Sequence, residues 1–85
     1  MNLYWYTKAA NQGYAKAQYA LGNCYAEGEG VTKDLSQVVY WYTKAANQGV
    51  AEAQYNLGLC YKRGWGVTQD YSQAVYWGSA VKVCV

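Results

Sequence analysis

The side chains that could perform chemistry in this chain are few, and their types argue against catalysis. The sequence contains no histidine, the most common general base in enzymes. Both aspartates stand where helices are predicted to begin, and Glu27, Glu29 and Glu52 have no partner fixed by the sequence. No group of residues has the spacing of metal ligands. We therefore expect no enzymatic activity, no metal ion and no cofactor.

Of the three cysteines, Cys24 and Cys60 occupy equivalent positions of an internal repeat, and Cys84 lies near the end of the chain. The first two fall on apolar helical stripes, where thiols act as small buried side chains and are not activated. Adjacent helices pack roughly 8–10 Å apart, beyond the ~7 Å limit on Cα separation in a disulfide. We expect both thiols to be free, which favours the cytoplasm. A periplasmic or secreted location stays open if the parent chain carries a signal peptide.

A candidate binding surface emerges where the repeats differ. Four of the five differences within the first helices fall in a wedge of roughly 60°, at 3.6 residues per turn. The pairs are Lys16/Glu52, Ala20/Asn56, Asn23/Leu59 and Glu27/Arg63. The asparagines could hydrogen-bond a peptide backbone, and the basic residues could pair with acidic groups. Alternatively, the opposite charges form lateral ion pairs between stacked helices, each contributing about 0–1 kcal/mol.

Exposed aromatic side chains provide a second candidate surface. Tyr40 lies on the polar face of its helix, and Tyr4 and Tyr76 should form a column of exposed rings with it. Such a column could stack on sugar rings, so a carbohydrate-binding surface is an alternative function. Otherwise, neighbouring side chains partly cover the rings. Trp65 has no aromatic counterpart, since Glu29 takes its place in the other unit. It either folds over the helix ends or anchors an interface.

An internal repeat positions all these residues. Residues 4–41 and 40–77 are identical at 28 of 38 positions, an offset of 36 that is typical of helical repeat arrays. Periodic apolar residues and glycines predict an all-α solenoid of helix-turn-helix repeats. Its predicted helices are 2–12, 15–28, 35–48, 51–64 and 71–82. Its predicted units are 1–14 (a second helix only), 15–49, and 50–83 with a divergent end.

Local signals mark the helix boundaries and the packing faces. Asp34 with Gln37, and Asp70 with Gln73, predict capping boxes in which each glutamine reaches back to the aspartate backbone. Gly28 is expected to end its helix in the left-handed conformation, and Gly22 to admit a close neighbouring helix. Three tryptophans on the apolar faces of the second helices are expected to pack in the core. These are Trp5, Trp41 and Trp77.

The repeat resembles the Sel1-like repeat, a relative of the tetratricopeptide repeat. The residues that carry the resemblance are Ala53-Gln54, Leu57-Gly58, Tyr61, Gly64, Gly66-Val67, Asp70, Lys44-Ala45-Ala46 and Gly49. The resemblance covers residues 4–77 and implies an α/α superhelix that serves as an adaptor for protein complexes. It also implies that the first helices line a concave face. Tyr14 and Val50 depart from it, because the family often has a capping Asp or Asn there.

These observations predict that the protein is an interaction scaffold that binds a peptide or protein partner on its concave face. The candidate contacts are Lys16, Asn23, Glu27, Glu52, Asn56, Leu59, Arg63, Trp65 and Tyr40. The slight net charge of +2 predicts no nucleic-acid partner, and no apolar run is long enough for membrane insertion. Apolar residues at both ends of the array predict a homodimer, with a purely structural self-assembly module as an alternative. These are Leu3, Trp5, Tyr6, Val75, Ala80, Val81 and Val83.

Overall fold

A computed structural model describes the backbone of residues 3–81 and the side chains of residues 3–78, which form five α-helices. These are α1 (Leu3–Asn11), α2 (Ala15–Glu27), α3 (Leu35–Asn47), α4 (Ala51–Arg63) and α5 (Tyr71–Val81). Each helix packs against the next one along the chain. The all-α solenoid is confirmed, and every described helix end lies within one residue of its prediction. Val83, Cys84 and the side chains of Ala80 and Val81 lie outside the described residues.

The predicted capping boxes form only in part. The Asp34 carboxylate accepts hydrogen bonds from the backbone N–H groups of Ser36 and Gln37, at 3.1 and 3.4 Å. The Ser36 hydroxyl also donates to it and is the main cause that lowers the pKa of Asp34. The predicted reciprocal bond from Gln37 to the Asp34 N–H does not form. The Asp34 N–H donates instead to the carbonyl of Tyr25, at 3.1 Å. In the next unit the Asp70 carboxylate likewise accepts from the backbone N–H groups of Ser72 and Gln73, and the Asp70 N–H donates to the carbonyl of Tyr61.

The starts of α2 and α4 have no side-chain cap, as their departure from the family pattern predicts. Tyr14 and Val50 occupy the cap positions and make no side-chain hydrogen bond there. A glutamine one turn further on connects each helix to its predecessor instead. The Gln18 amide donates to the carbonyl of Ala10 at 3.2 Å, and Gln54 makes the equivalent bond in the next unit. These bonds join each helix to a carbonyl in the last turn of its predecessor, which also accepts a backbone N–H from Gly13 or Gly49.

The core consists of two buried clusters between successive helices. One contains Val38, Tyr42, Ala45, Ala46, Ala53, Leu57 and Cys60, and the other contains Ala10, Leu21 and Trp41. The close approach predicted at Gly22 is confirmed, because a Cβ there would lie 2.7 Å from the Tyr42 ring. Cys24 and Cys60 are buried and free, as expected, and burial raises the pKa of both thiols.

The three tryptophans do not share one environment, although they share one repeat position. Trp41 is only 7% exposed because it packs with Ala10 and Leu21 of the preceding helices, and Trp77 is half-buried against α4. The predicted burial of Trp5 is wrong, since its side chain is 62% exposed. Among the described residues no helix precedes α1, so nothing covers this face of it.

Candidate functional site

A cavity of about 510 Å³ lies between α2, α3 and α4, towards the loops that join the helices; we call it the interhelical cavity. Its lining residues are Asn23, Ala26, Glu27, Lys33, Leu35, Val38, Tyr42, Asn56, Leu59, Cys60 and Trp65. Five of the nine candidate contacts are therefore brought together here: Asn23, Glu27, Asn56, Leu59 and Trp65. The other four do not line it and are exposed. These are Lys16, Tyr40, Glu52 and Arg63.

The interhelical cavity is also where the two repeats differ most. Nine of its eleven lining residues differ in type from their repeat mates, the residues 36 positions away in the comparison of residues 4–41 with 40–77. The two exceptions are Tyr42 and Cys60, which match Tyr6 and Cys24. Positions in recurring helix–helix interfaces keep one residue type because the same packing recurs in each unit. The cavity lining is free of that constraint and has a chemistry of its own.

Two asparagine–tyrosine hydrogen bonds fix both asparagines of the cavity lining. The hydroxyl of Tyr42 donates to the Asn23 side-chain oxygen, and the Asn56 amide donates to the hydroxyl of Tyr19 at 3.3 Å. The two tyrosine rings stack with their centroids 5.5 Å apart. Burial strongly raises the pKa of Tyr42, so its hydroxyl stays protonated and remains a donor at neutral pH. The bonds hold both asparagines in place, and the Asn23 amide nitrogen has no acceptor among the described residues.

The two tyrosines of this group were not among the candidate residues predicted from the sequence. Tyr42 lies on the apolar face of its helix, so the pattern assigns it to packing alone. Tyr19 lies in α2, and its counterpart Tyr55 is exposed. The sequence did contain one signal for them, which is tyrosine at apolar positions where phenylalanine would pack equally well. A buried tyrosine hydroxyl usually needs a hydrogen-bond partner, so such a position indicates a polar contact.

Trp65 stands at the edge of the cavity and is 43% exposed. The Arg63 guanidinium lies over its ring, 5.0 Å from the centroid. The lateral ion pairs considered as an alternative for these charged residues are not formed in the described part of the chain. Neither Glu27 with Arg63 nor Lys16 with Glu52 forms an ion pair among residues 3–81. The Arg63 guanidinium lies over the tryptophan ring instead, and all four of these charged residues are exposed.

The tyrosine of the second candidate surface is exposed, as predicted. Tyr40 meets the edge of Trp41 with centroids 4.9 Å apart, and the ammonium group of Lys44 lies 5.2 Å from its ring. Tyr4 is exposed too, and makes the same two kinds of contact in α1. The neighbouring side chains thus cover part of each ring and leave the rest open to solvent.

Two further properties concern the described part of the chain as a whole. Residues 3–81 contain no cluster of three or more histidine, cysteine, aspartate or glutamate side chains able to hold a metal ion. None of the described helices combines the length and the apolar character required to span a bilayer.

Fold and site together define a helical-repeat protein with one cavity that is lined mainly by residues differing between its repeats. The family model for the Sel1 repeat matches residues 3–14, 15–50 and 51–79, and the chain belongs to the Sel1 repeat family. Members of this family generally mediate protein–protein interactions, and they are typically scaffolds without enzymatic activity.

Solved structures of related proteins share the fold over nearly the whole chain. A Sel1 repeat protein from Oxalobacter formigenes superposes with a TM-score of 0.90 at 39% identity, over 93% of this chain and 60% of that one. A protective antigen of uropathogenic Escherichia coli with an SLR fold gives 0.88 at 47% identity, over 95% of this chain and 17% of that one. Helicobacter pylori cysteine-rich protein B superposes with a TM-score of 0.89 at 26% identity, over 93% of this chain and 59% of that one.

Similarity to curated proteins covers one repeat unit. DAP3-binding cell death enhancer 1 from Rattus norvegicus is 49% identical over 35 residues, which is 41% of this chain. The mouse protein of the same name is 46% identical over the same length. The matched segment spans 7% of each of these relatives.

Proposed function

We propose that this chain is a protein-interaction adaptor that binds an extended peptide segment of a partner in the interhelical cavity. The observation that carries the proposal is the concentration of repeat differences in that cavity, at nine of its eleven lining residues. Recurring helix packing explains why other positions keep the same residue in both repeats, but it does not explain why most of the residues around one cavity differ. Contact with a common ligand would explain it.

The size and the lining of the cavity support a peptide ligand. Ligand pockets typically enclose about 300–1,000 Å³ and combine mainly apolar walls with a few placed polar groups. Leu35, Val38 and Leu59 supply apolar wall, and the amide nitrogen of Asn23 has hydrogen-bonding capacity left for a backbone carbonyl. The hydrogen bonds to tyrosine hydroxyls hold the asparagines before the ligand arrives, which reduces the entropy lost on binding.

The exposed candidate residues outside the cavity lining would contact other parts of the partner. Lys16 and Glu52 are exposed near the N-terminal ends of α2 and α4, whereas the cavity lies nearer the other ends of these helices. There they would contact flanking residues of the partner. Exposed charges of this kind influence association rate and specificity more than affinity.

The test compares residues that the chain already tolerates at equivalent positions. Asn56→Ala and Leu59→Asn place in the second repeat the residues found at positions 20 and 23 of the first. Short peptides selected from a random library on the wild-type chain should bind the double variant at least about tenfold more weakly, a loss of about 1.4 kcal/mol. Tyr14→Val, which introduces the residue of position 50, is the matched control outside the cavity. It should retain binding.

Amide NMR spectra recorded during a peptide titration locate the bound peptide. We expect shift changes around Asn23, Asn56 and Leu59. Changes confined to the face around Tyr40, or equal affinities of the double variant and the wild type, would contradict the proposal. Sugar binding on a glycan array that disappears with Tyr40→Ala would instead establish the carbohydrate-binding alternative, which the partly exposed rings of Tyr4 and Tyr40 favour.

We also infer that the chain forms a homodimer, with α5 as the contact. Tyr71, Val75 and Tyr76 are all more than three-fifths exposed on consecutive turns of this helix. Soluble monomers rarely expose apolar groups so close together. In α3, the loop containing Gly66 covers the equivalent face, around Leu35 and Val39. A two-fold contact between like faces closes and produces a dimer.

Light scattering over a dilution series tests the dimer. The mass should approach that of two chains at high concentration, and the melting temperature should rise with concentration. Val75→Lys should restore a single chain, whereas Glu52→Lys should not. A mass of one chain throughout, with concentration-independent melting, would refute the dimer. Assembly without any peptide binding would favour the purely structural alternative.

A further inference from the structure

We propose that the peptide bound in the interhelical cavity presents a large apolar side chain beside Trp65 and, next to it, a carboxylate that pairs with Arg63 and Lys33. This inference rests on the proposed adaptor function and adds the chemistry of the ligand. It follows from three features: the loop that carries Trp65, the wall that its ring completes, and the charges at the edge.

The loop does not require a tryptophan. Gly64 and Gly66 flank Trp65 with φ angles of 71° and 76°, and the N–H of Trp65 donates to the carbonyl of Cys60 at 2.9 Å. The first unit builds the same loop around Glu29, with flanking φ angles of 69° and 80° and the same hydrogen bond, also 2.9 Å long. Because a glutamate fits this backbone, the aromatic ring is not needed for the turn. It is available for another role.

The ring of Trp65 completes an apolar wall that can receive a side chain. Leu35, Leu59 and the buried thiol of Cys60 line the same cavity. A half-exposed tryptophan at the edge of such a pocket is the type of residue that dominates binding energy in protein interfaces. One large aliphatic or aromatic side chain fits this space better than a small or charged one, because it would displace water from three apolar surfaces together.

The charges around this wall favour a carboxylate beside the anchor. Lys33 lines the cavity, and Arg63 lies over the Trp65 ring, while Glu27 is the one acidic residue of the lining. A guanidinium that stacks on a ring through its face keeps its edge N–H groups free to bind a carboxylate. No ion pair among the described residues occupies Arg63 or Lys33. An acidic residue next to the anchor would give both a partner.

The experiment uses peptides selected on the full chain, each made in three forms: unchanged, with the apolar anchor replaced by glycine, and with the acidic residue replaced by its amide. Trp65→Glu introduces the residue of position 29 and should lower affinity at least about thirtyfold. Trp65→Phe should retain most of the affinity. Arg63→Glu should abolish or reverse the preference for the acid over the amide. Tyr14→Val, which replaces another exposed aromatic residue by its repeat mate, is the control and should bind like the wild type.

The outcomes separate this inference from the adaptor function on which it rests. Peptides that bind Trp65→Glu as tightly as the wild type, yet lose affinity with Asn56→Ala and Leu59→Asn together, would overturn the inference and leave the adaptor function standing. The same holds for peptides that show no preference for the acid over the amide. If no selected peptide binds in the cavity, both proposals fail. Thermal melts of each variant check that the fold is kept.

Discussion

Gly66→Ala is expected to destabilise the protein by about 2–5 kcal/mol, combining backbone strain with a steric clash. The φ angle of Gly66 is +76°, in the left-handed region that residues with a Cβ rarely adopt. A Cβ at this position would lie 2.7 Å from the carbonyl carbon of Leu35 and closer still to its oxygen. Both atoms belong to the backbone of α3, so relief requires the loop and the helix to separate. Trp65 would move with the loop, and peptide binding should weaken too.

Gly30→Ala is the matched control, because Gly30 is the repeat mate of Gly66. Its φ angle is +80°, but the nearest atom to an added Cβ is a Leu3 methyl carbon at 4.0 Å. This substitution should therefore cost only the backbone strain, about 1–2 kcal/mol. Urea denaturation of both variants measures the difference. Equal losses would show that the contact between the loop and α3 does not contribute as described.

Leu57→Ala is expected to lower the free energy of unfolding by about 2–5 kcal/mol, since it removes buried methyl groups and leaves a cavity. Leu57 is 1% exposed and belongs to the cluster that joins α3 to α4, with Val38 and Tyr42. A chain of this size typically has a total stability of only about 4–13 kcal/mol. The variant should therefore melt at a much lower temperature or populate the unfolded state at room temperature.

Leu59→Ala is the control for this prediction, on the same helix and with the same chemical change. Leu59 is only partly buried and lines the interhelical cavity, so its loss should cost less than about 1.5 kcal/mol of stability. Peptide affinity should show the opposite order at a temperature where both variants are folded, with Leu59→Ala the more damaging. Equal effects of the two variants on stability would mean that the core is not organised around Leu57 as the packing indicates.

The helices and their ends could be predicted from the sequence because their causes are local. A 3.6-residue apolar period, an aspartate before the first turn and a glycine after the last one each act within a few residues. The near-identity of residues 4–41 and 40–77 then made the solenoid predictable, because identical units pack in the same way. The capping boxes show the limit of this reasoning. The glutamine had the correct spacing, but a carbonyl of the preceding helix at Tyr25 took the Asp34 N–H instead.

Equivalence in sequence also failed to predict burial. Trp5 and Trp41 occupy the same position of the same ten-residue segment, yet only Trp41 is buried. The difference depends on which helices lie beside each one, and such contacts are not encoded in the segment itself.

The sequence by itself determined the architecture of this protein and the helical wedge on which its repeats differ. The tertiary structure alone decided which of those residues meet. It brought Asn23, Asn56 and Trp65 to one cavity and left Lys16 and Glu52 outside it. It also placed Arg63 on Trp65 rather than against Glu27, and the Tyr42 hydroxyl on Asn23. The physical reason is that helical periodicity specifies the face on which a residue lies. The packing angle between helices and the conformations of the loops decide what that face meets.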